Sequence, residues 1–164
     1  MKIFVICTVR KATKEYLKML YDYVVKLENE GHEVHLPPRD TNQEDEETGG
    51  YRICGDNKDA ILWADEIHIS YNESSTGTHF DLGMAFMADK KIHIFDCPSI
   101  DENIPKSFPK MMRYWENYNL KDPNWHFSKK VLESKIFKKN RTNSDACLGI
   151  GDYISGEKNN EENN

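Results

Sequence analysis

The sequence predicts an α/β protein, a doubly wound three-layer sandwich with a mainly parallel sheet. The predicted strands lie at residues 3–7, 34–36, 66–71 and 91–95, the first of them a continuous apolar run, and segments with helical periodicity lie between them. Continuous apolar runs are typical of strands buried on both faces. Strands that alternate with helices form parallel sheets with right-handed crossovers. The predicted fold is therefore flavodoxin-like or Rossmann-like.

The helices are predicted from apolar residues at helical spacing and from signals at their ends. In residues 13–30 the apolar positions recur every three or four residues, and Gly31 is a typical stop signal. We predict further helices at 56–64, with Asp56 as the N-cap, at 78–89, at 107–118 and at 129–139. The acidic segment 40–50 is predicted to be a surface loop.

Length and composition limit the class of protein. The 164 residues favour a single domain over 1–155, followed by a disordered polar tail at 156–164. The net charge of -6 argues against binding to nucleic-acid polymers. The sequence has neither an apolar run of membrane-spanning length nor a signal peptide, and its four cysteines are widely spaced. We therefore expect a cytoplasmic protein with no membrane contact, metal or cofactor.

Four polar segments follow the predicted strands, at 7–10, 37–40, 72–81 and 96–99. Ligands of open parallel sheets bind beyond the carboxyl ends of the strands, so these segments are the candidate site. The turn at 72–78 contains small hydroxyl residues before a helix, which suits an anion but also suits an ordinary turn. Asp81 lies three residues after Thr78. That spacing alone favours a capping box over a carboxylate in the cleft.

The segment from Ala64-Asp65 through the third strand to N-E-S-S-T-G-T-H-F-D-L-G-M-A resembles the nucleoside 2-deoxyribosyltransferase superfamily. This superfamily includes the 2′-deoxynucleoside 5′-monophosphate N-hydrolases. Its members show an A-D pair, a strand and an S-x-G-x-x-x-E-[LI]-G-x-A motif at the same spacing. The first turn, V-I-C-T-V-R, is similar to that of the monophosphate hydrolases. The resemblance covers about residues 1–97 and implies the doubly wound fold.

The resemblance implies that Asp81 and Asn57 are the catalytic residues. Asp81 occupies the position of the family's glutamate, which attacks C1′ to form a glycosyl-enzyme intermediate. Asn57 occupies the position of an aspartate that handles the leaving base, and Phe4 stands where the family often has a tyrosine. All three positions depart from the family pattern, and Asp81 is one methylene shorter than glutamate.

The resemblance also implies a set of substrate-binding residues at the same edge of the sheet. Those expected around the nucleotide and its 5′-phosphate are Thr8, Arg10, Ser75 and Gly77, while Phe4 lines the pocket. Arg39 and Asp40, after the second strand, are expected to recognise the base or ribose, although an ordinary surface loop is nearly as consistent with the sequence.

The leading interpretation is an enzyme that exchanges or hydrolyses the N-glycosidic bond of a nucleoside or nucleotide, with that small molecule as its partner. The alternatives are a catalytically weak nucleotide-binding or sensing module, suggested by the three departures, and a flavin-binding protein of the same fold. The resemblance implies a homodimer or larger homo-oligomer, for which Met111, Met112, Tyr114 and Trp115 are candidate contacts.

Overall fold

The computed structural model describes residues 1–101 and 103–121. The predicted helix at 129–139 lies outside the described residues, as do the predicted tail and the last part of the predicted single domain. The described elements are β1 (Lys2–Ile6), α1 (Lys14–Asn29), β2 (Glu33–His35), α2 (Pro37–Asp40), α3 (Tyr51–Trp63), β3 (Glu66–Ser70), α4 (Thr76–Met87), β4 (Lys91–Asp96) and α5 (Phe108–Lys121).

The four strands form one parallel sheet in the order β2-β1-β3-β4. The chain starts in the middle of the sheet, moves to one edge, crosses back over β1 and continues to the other edge. This reversal on the two sides of β1 defines a doubly wound sheet, so the predicted fold class is confirmed. All four strands end at the same edge, and that edge carries the segments between strand and helix.

Two apolar layers cover the two faces of the sheet. On one face, Leu20, Val24 and Leu27 of α1 pack against alternate residues of β1 and β2. On the other face, helices α3, α4 and α5 pack against the remaining positions of β1, β3 and β4. Phe4 belongs to this second layer and is fully buried. The candidate site therefore lies on the side of the sheet that α3 and α4 cover.

Helix α1 begins and ends close to where the sequence predicts. The Thr13 hydroxyl accepts a hydrogen bond from the Tyr16 N–H, as expected of an N-cap. Gly31 has a φ of 85°, in the left-handed region that glycine adopts at low cost. The N–H of His32 then reaches the Leu27 carbonyl and closes the last turn.

Helix α3 begins at Tyr51, five residues before the predicted start, so the assignment of Asp56 as its N-cap is wrong. The Asp45 carboxylate accepts hydrogen bonds from the N–H groups of Gly50 and Arg52. Asp56 instead lies inside the helix and pairs with the Arg52 guanidinium. The acidic segment thus provides the side-chain acceptor for the start of α3, and this places Asn57 near the middle of the helix.

Helix α4 also begins earlier than predicted. Its N-cap is Ser75, whose hydroxyl accepts hydrogen bonds from the N–H and the hydroxyl of Thr78. Thr78 is therefore a residue of the first turn, and the capping box between Thr78 and Asp81 is wrong. Because the N-cap lies about one turn earlier than predicted, the Asp81 carboxylate does not cap the helix. It can instead accept a hydrogen bond from a residue of α3.

Helix α5 packs on the sheet through part of the surface suggested for contacts between subunits. Met112 and Trp115 are buried in the same apolar layer as α3 and α4, so they do not face a second copy. Trp115 contacts Phe86 edge-on, with ring centroids 5.1 Å apart. Among the described residues, no helix combines the length and apolar character that a membrane span needs.

The packing of α4 on the sheet can be tested by paired alanine substitutions. Leu82 is 2% exposed and Phe80, on the opposite side of the same helix, is 55% exposed. We expect Leu82→Ala to lower the free energy of unfolding by about 2 to 5 kcal/mol, because it leaves a cavity beneath the site. Phe80→Ala is expected to change it by less than about 0.5 kcal/mol. Urea denaturation of both variants measures the difference, and equal losses would contradict this packing.

Candidate active site

A buried carboxylate lies between α3 and α4, above the sheet. Asp81 is 7% exposed, and the amide nitrogen of Asn57 donates to its two oxygens across 3.2 and 3.4 Å. The structure thus brings together the two residues predicted to be catalytic. Asp81 is in the second turn of α4, one turn beyond the N-cap Ser75.

Burial controls the ionisation of this carboxylate. Loss of solvent raises the pKa of Asp81 to about 6, and the hydrogen bond from Asn57 opposes the rise. At pH 7 most of Asp81 is therefore ionised. Cys7, at the end of β1, is also buried, and burial together with the Asp81 charge raises its thiol pKa to about 12. Cys7 is thus a neutral neighbour of the carboxylate.

Two further polar residues, absent from the sequence prediction, extend this pair. The Thr41 hydroxyl donates to the Asn57 carbonyl oxygen across 3.2 Å, and His35 Nε2 lies 2.9 Å from the Thr41 hydroxyl oxygen. Thr41 is 5% exposed, whereas His35 is half-buried. Thr41 follows the short helix α2, in the segment that the sequence predicted to be a surface loop, so its position carried no specific signal for the site.

Phe4 lies beneath this group rather than at its surface. It pairs with His35 in the register of β1 and β2, and the two rings stack at a centroid distance of 5.4 Å and an interplanar angle of 17°. The ring of Phe4 therefore fixes the plane of the imidazole.

The turn after β1 presents Thr8 and Arg10 at the carboxyl edge of the sheet. Thr8 is 8% exposed, and within the described part of the chain its hydroxyl oxygen has no hydrogen-bond partner. Its N–H donates to the Tyr16 hydroxyl, which donates to Ser70, and Ser70 donates to Asp96. These bonds hold the turn in place. A buried hydroxyl without a partner is costly unless a ligand or water satisfies it.

Arg10 is exposed, and no ion pair or hydrogen bond of its guanidinium occurs among residues 1–101 and 103–121. Ser75 is the N-cap of α4, and Gly77 lies in its first turn. The Ser75 hydroxyl is occupied as the N-cap, and a Cβ placed on Gly77 would meet no atom within 4 Å. Gly77, in the first turn of α4, therefore has open space at the position of a Cβ.

Arg39 and Asp40 lie in the short helix α2 and bind each other. The Arg39 guanidinium also donates to the Glu28 carboxylate and to the Val34 carbonyl oxygen. The carboxylates of Asp40 and Glu28 raise the pKa of Arg39. The Asp40 carboxylate accepts from the Leu36 N–H. Their hydrogen bonds thus connect α2 to α1 and β2, and among the described residues no hydrogen bond or ion pair joins Arg39 or Asp40 to Asp81.

The described residues contain no group of three histidine, cysteine, aspartate or glutamate side chains placed to hold a metal ion. The chemistry open to this arrangement is that of a buried, ionisable carboxylate beside an amide donor. Such a carboxylate can act as a nucleophile towards an electrophilic carbon.

Comparison with known proteins identifies the fold. No protein-family model matches the chain, and no curated protein sequence matches it. The 2-deoxyribosyltransferase of the psychrotolerant bacterium Bacillus psychrosaccharolyticus is similar in structure, with a TM-score of 0.51, 21% identity, and coverage of 79% of this chain and 95% of that one. The CMP N-glycosidase BcmB of Clostridium botulinum gives a TM-score of 0.48, 19% identity, and coverage of 71% and 84%.

The chain shares the fold of a 2-deoxyribosyltransferase. The fold found by this structural comparison is therefore the fold that the resemblance of the sequence motifs implies.

The ionisation of Asp81 makes stability depend on pH. Since its folded pKa lies above its ordinary value, the folded state binds this proton more tightly than the unfolded chain does. The contribution of Asp81 to stability is therefore fully present below about pH 4 and is lost as the pH rises through 6. Asp81→Asn removes the charge and keeps the shape. We expect it to raise the free energy of unfolding by about 1 to 3 kcal/mol at pH 8 and to leave it unchanged at pH 4.

Urea denaturation at the two pH values measures this difference. Asp59→Asn is the matched control, because the Asp59 side chain on α3 is mostly exposed. A gain that is equal at pH 4 and pH 8 would contradict the assigned charge effect.

Proposed function

We propose that this protein is an enzyme that cleaves or exchanges the N-glycosidic bond of a nucleoside or its 5′-monophosphate, with Asp81 as the nucleophile. The observation that carries the proposal is the buried Asp81 carboxylate between α3 and α4. It is ionised at neutral pH and lies on the helix that follows β3, beyond the carboxyl edge of the sheet. The fold and the motif around Asp81 point to the same chemistry.

The reaction proceeds in two displacements. An oxygen of Asp81 bonds to C1′ as the bond from C1′ to the base nitrogen breaks, and the base leaves with the electron pair and takes up a proton from solvent. In the second step, water or the nitrogen of another base attacks C1′, loses a proton and releases the Asp81 carboxylate. Water gives hydrolysis, and a second base gives exchange.

Asn57 serves this reaction by holding the carboxylate. Its amide nitrogen contacts both oxygens of Asp81, so it limits rotation of the carboxylate before the substrate binds. An amide does not donate a proton to a leaving base at neutral pH. We therefore assign Asn57 to orientation of the nucleophile.

The turn after β1 and the start of α4 are proposed to bind the sugar and any 5′-phosphate. The Thr8 hydroxyl is buried without a protein partner among the described residues, and Arg10 is exposed nearby in the chain. The open side of Gly77 allows an anion to approach the N–H groups of α4. These features favour a phosphorylated nucleoside over an unphosphorylated one.

The proposal predicts release of free base that depends on Asp81. We expect the wild-type protein to release base from at least one nucleoside or 5′-monophosphate, and Asp81→Ala to lose more than about a thousandfold of this activity because the nucleophile is absent. Chromatography of a substrate panel, with and without a second base, measures release and exchange. Asp59→Asn is the control with an unchanged site.

Two outcomes would overturn the enzyme assignment. One is base release by Asp81→Ala at the wild-type rate. The other is a folded wild-type protein that binds nucleotides and releases no base from any member of the panel, which would leave a nucleotide-binding module.

The pH dependence of base release is a separate prediction. Asp81 must be ionised to attack, and its pKa is about 6. We therefore expect kcat/KM to be constant above about pH 7 and to fall about tenfold per pH unit below pH 6. Rates measured from pH 4.5 to 8.5 test this, and a rate that rises on acidification through pH 6 would contradict an Asp81 nucleophile.

A further inference from the structure

Four polar side chains from different elements form a continuous chain of hydrogen bonds that ends on Asp81. His35 Nε2 lies 2.9 Å from Thr41 Oγ1, Thr41 Oγ1 lies 3.2 Å from Asn57 Oδ1, and Asn57 Nδ2 lies 3.2 Å from the nearer Asp81 oxygen. Thr41, Asn57 and Asp81 are each less than one-tenth exposed. Few hydrogen bonds to water therefore compete with the hydrogen bonds among these side chains.

The chemistry of each group fixes the direction of this chain. An ionised carboxylate only accepts hydrogen bonds, so Asn57 must present its amide nitrogen to Asp81 and its carbonyl oxygen to Thr41. That oxygen also only accepts, so Thr41 donates its single hydroxyl hydrogen to it. The Thr41 oxygen is then left to accept, and His35 must carry a proton on Nε2.

Protonation of Asp81 favours the opposite direction. The carboxylic acid then donates to the Asn57 carbonyl oxygen, which requires the amide to turn by half a rotation. The amide nitrogen donates to Thr41, and the Thr41 hydroxyl donates to an unprotonated His35 Nε2. The imidazole proton and the charge on Asp81 are thereby linked, because a proton on Nε2 is compatible only with the direction that suits the ionised carboxylate.

We propose that His35 and Thr41 are positioning residues that hold the amide nitrogen of Asn57 on Asp81 and so keep the carboxylate ionised and oriented. The catalytic part of this inference rests on the proposed function. The effect on the ionisation of Asp81 does not, because the hydrogen bonds act on the carboxylate without a substrate.

The surroundings of His35 are consistent with this role. Burial lowers its pKa and Arg39 adds to this, while the carboxylates of Asp40 and Asp56 oppose it. His35 is therefore neutral at pH 7. The series of hydrogen bonds to Asp81 favours the imidazole tautomer that carries its proton on Nε2. The stacking on Phe4 keeps the ring in the plane that aims Nε2 at Thr41. On the side of Asp81, the titratable neighbour is the Cys7 thiol, which stays protonated.

The decisive variant is Thr41→Val, which keeps the shape of the side chain and removes its donor and acceptor. The Asn57 carbonyl oxygen then has no partner on that side, and the amide is free to turn its oxygen towards Asp81. We expect the pKa of Asp81 to rise by about one unit, so that its ionised fraction below that pKa falls about tenfold. Thr41→Ser keeps the hydroxyl and is expected to titrate like the wild type.

Two readouts separate this inference from the proposed function. Carboxyl ¹³C NMR, with the Asp81 signal assigned from Asp81→Asn, measures the pKa in the absence of substrate. In the base-release assay, Thr41→Val is expected to lose about tenfold in kcat/KM at pH 5 and little at pH 8, since the carboxylate is ionised there in both proteins. A merely structural defect would lower kcat/KM equally at both pH values.

A second variant keeps the test available if Thr41→Val does not fold. His35→Phe retains the stacking on Phe4 and removes the N–H group, while Thr41 still donates to Asn57. We expect a smaller upward shift in the pKa of Asp81, and His35→Gln, which restores a donor, is expected to reverse it.

The inference is overturned if Asp81 titrates in folded Thr41→Val, or in His35→Phe should Thr41→Val not fold, at the same pH as in the wild type. An upward shift without any base release by the wild type would support the positioning role and reject the proposed enzyme.

Discussion

The contact between Asn57 and Asp81 is the constraint on which the candidate site depends. Within the described residues, the amide of Asn57 is the sole hydrogen-bond donor to this buried carboxylate. An ionised carboxylate removed from water is unfavourable without such donors, so α3 and α4 must hold the two side chains in register. The apolar layer under the helices, with Ile61 on α3 and Leu82 on α4, fixes that register. The packing of α3 and α4 on the sheet is therefore also a condition for the hydrogen bond that stabilises the ionised carboxylate.

The sequence predicted the sheet well because its signals are local. β1 is a continuous apolar run, β3 and β4 share an Ile-His-Ile pattern, and Thr13 and Gly31 mark the ends of α1 through contacts within a few residues. The start of α3 was predicted wrongly for the opposite reason. The carboxylate that accepts hydrogen bonds from the first N–H groups of α3 belongs to Asp45, in a polar segment before the helix. A search for apolar residues at helical spacing does not detect such a residue.

The site was predicted in part. The resemblance singled out Asp81 and Asn57, and the structure places their side chains in contact, while their catalytic role stays a prediction. His35 and Thr41 were not predicted, because their roles arise only when residues far apart in sequence meet on the folded sheet. The assignment of Arg39 and Asp40 as substrate-binding residues stays a prediction, although most of their hydrogen bonds are already made within the protein.

Asparagine at position 57, where the resemblance predicts an aspartate, is better understood as an adaptation to the buried Asp81 carboxylate than as a loss. An aspartate at position 57 would place a second carboxylate about 3 Å from Asp81, and like charges at that distance do not both ionise. The pair would then share a proton, and less of Asp81 would be ionised at neutral pH. Asparagine at this position supplies a donor instead, and Thr41 and His35 keep that donor turned towards the carboxylate. The amide thus favours the charged form of the Asp81 carboxylate, which burial alone disfavours.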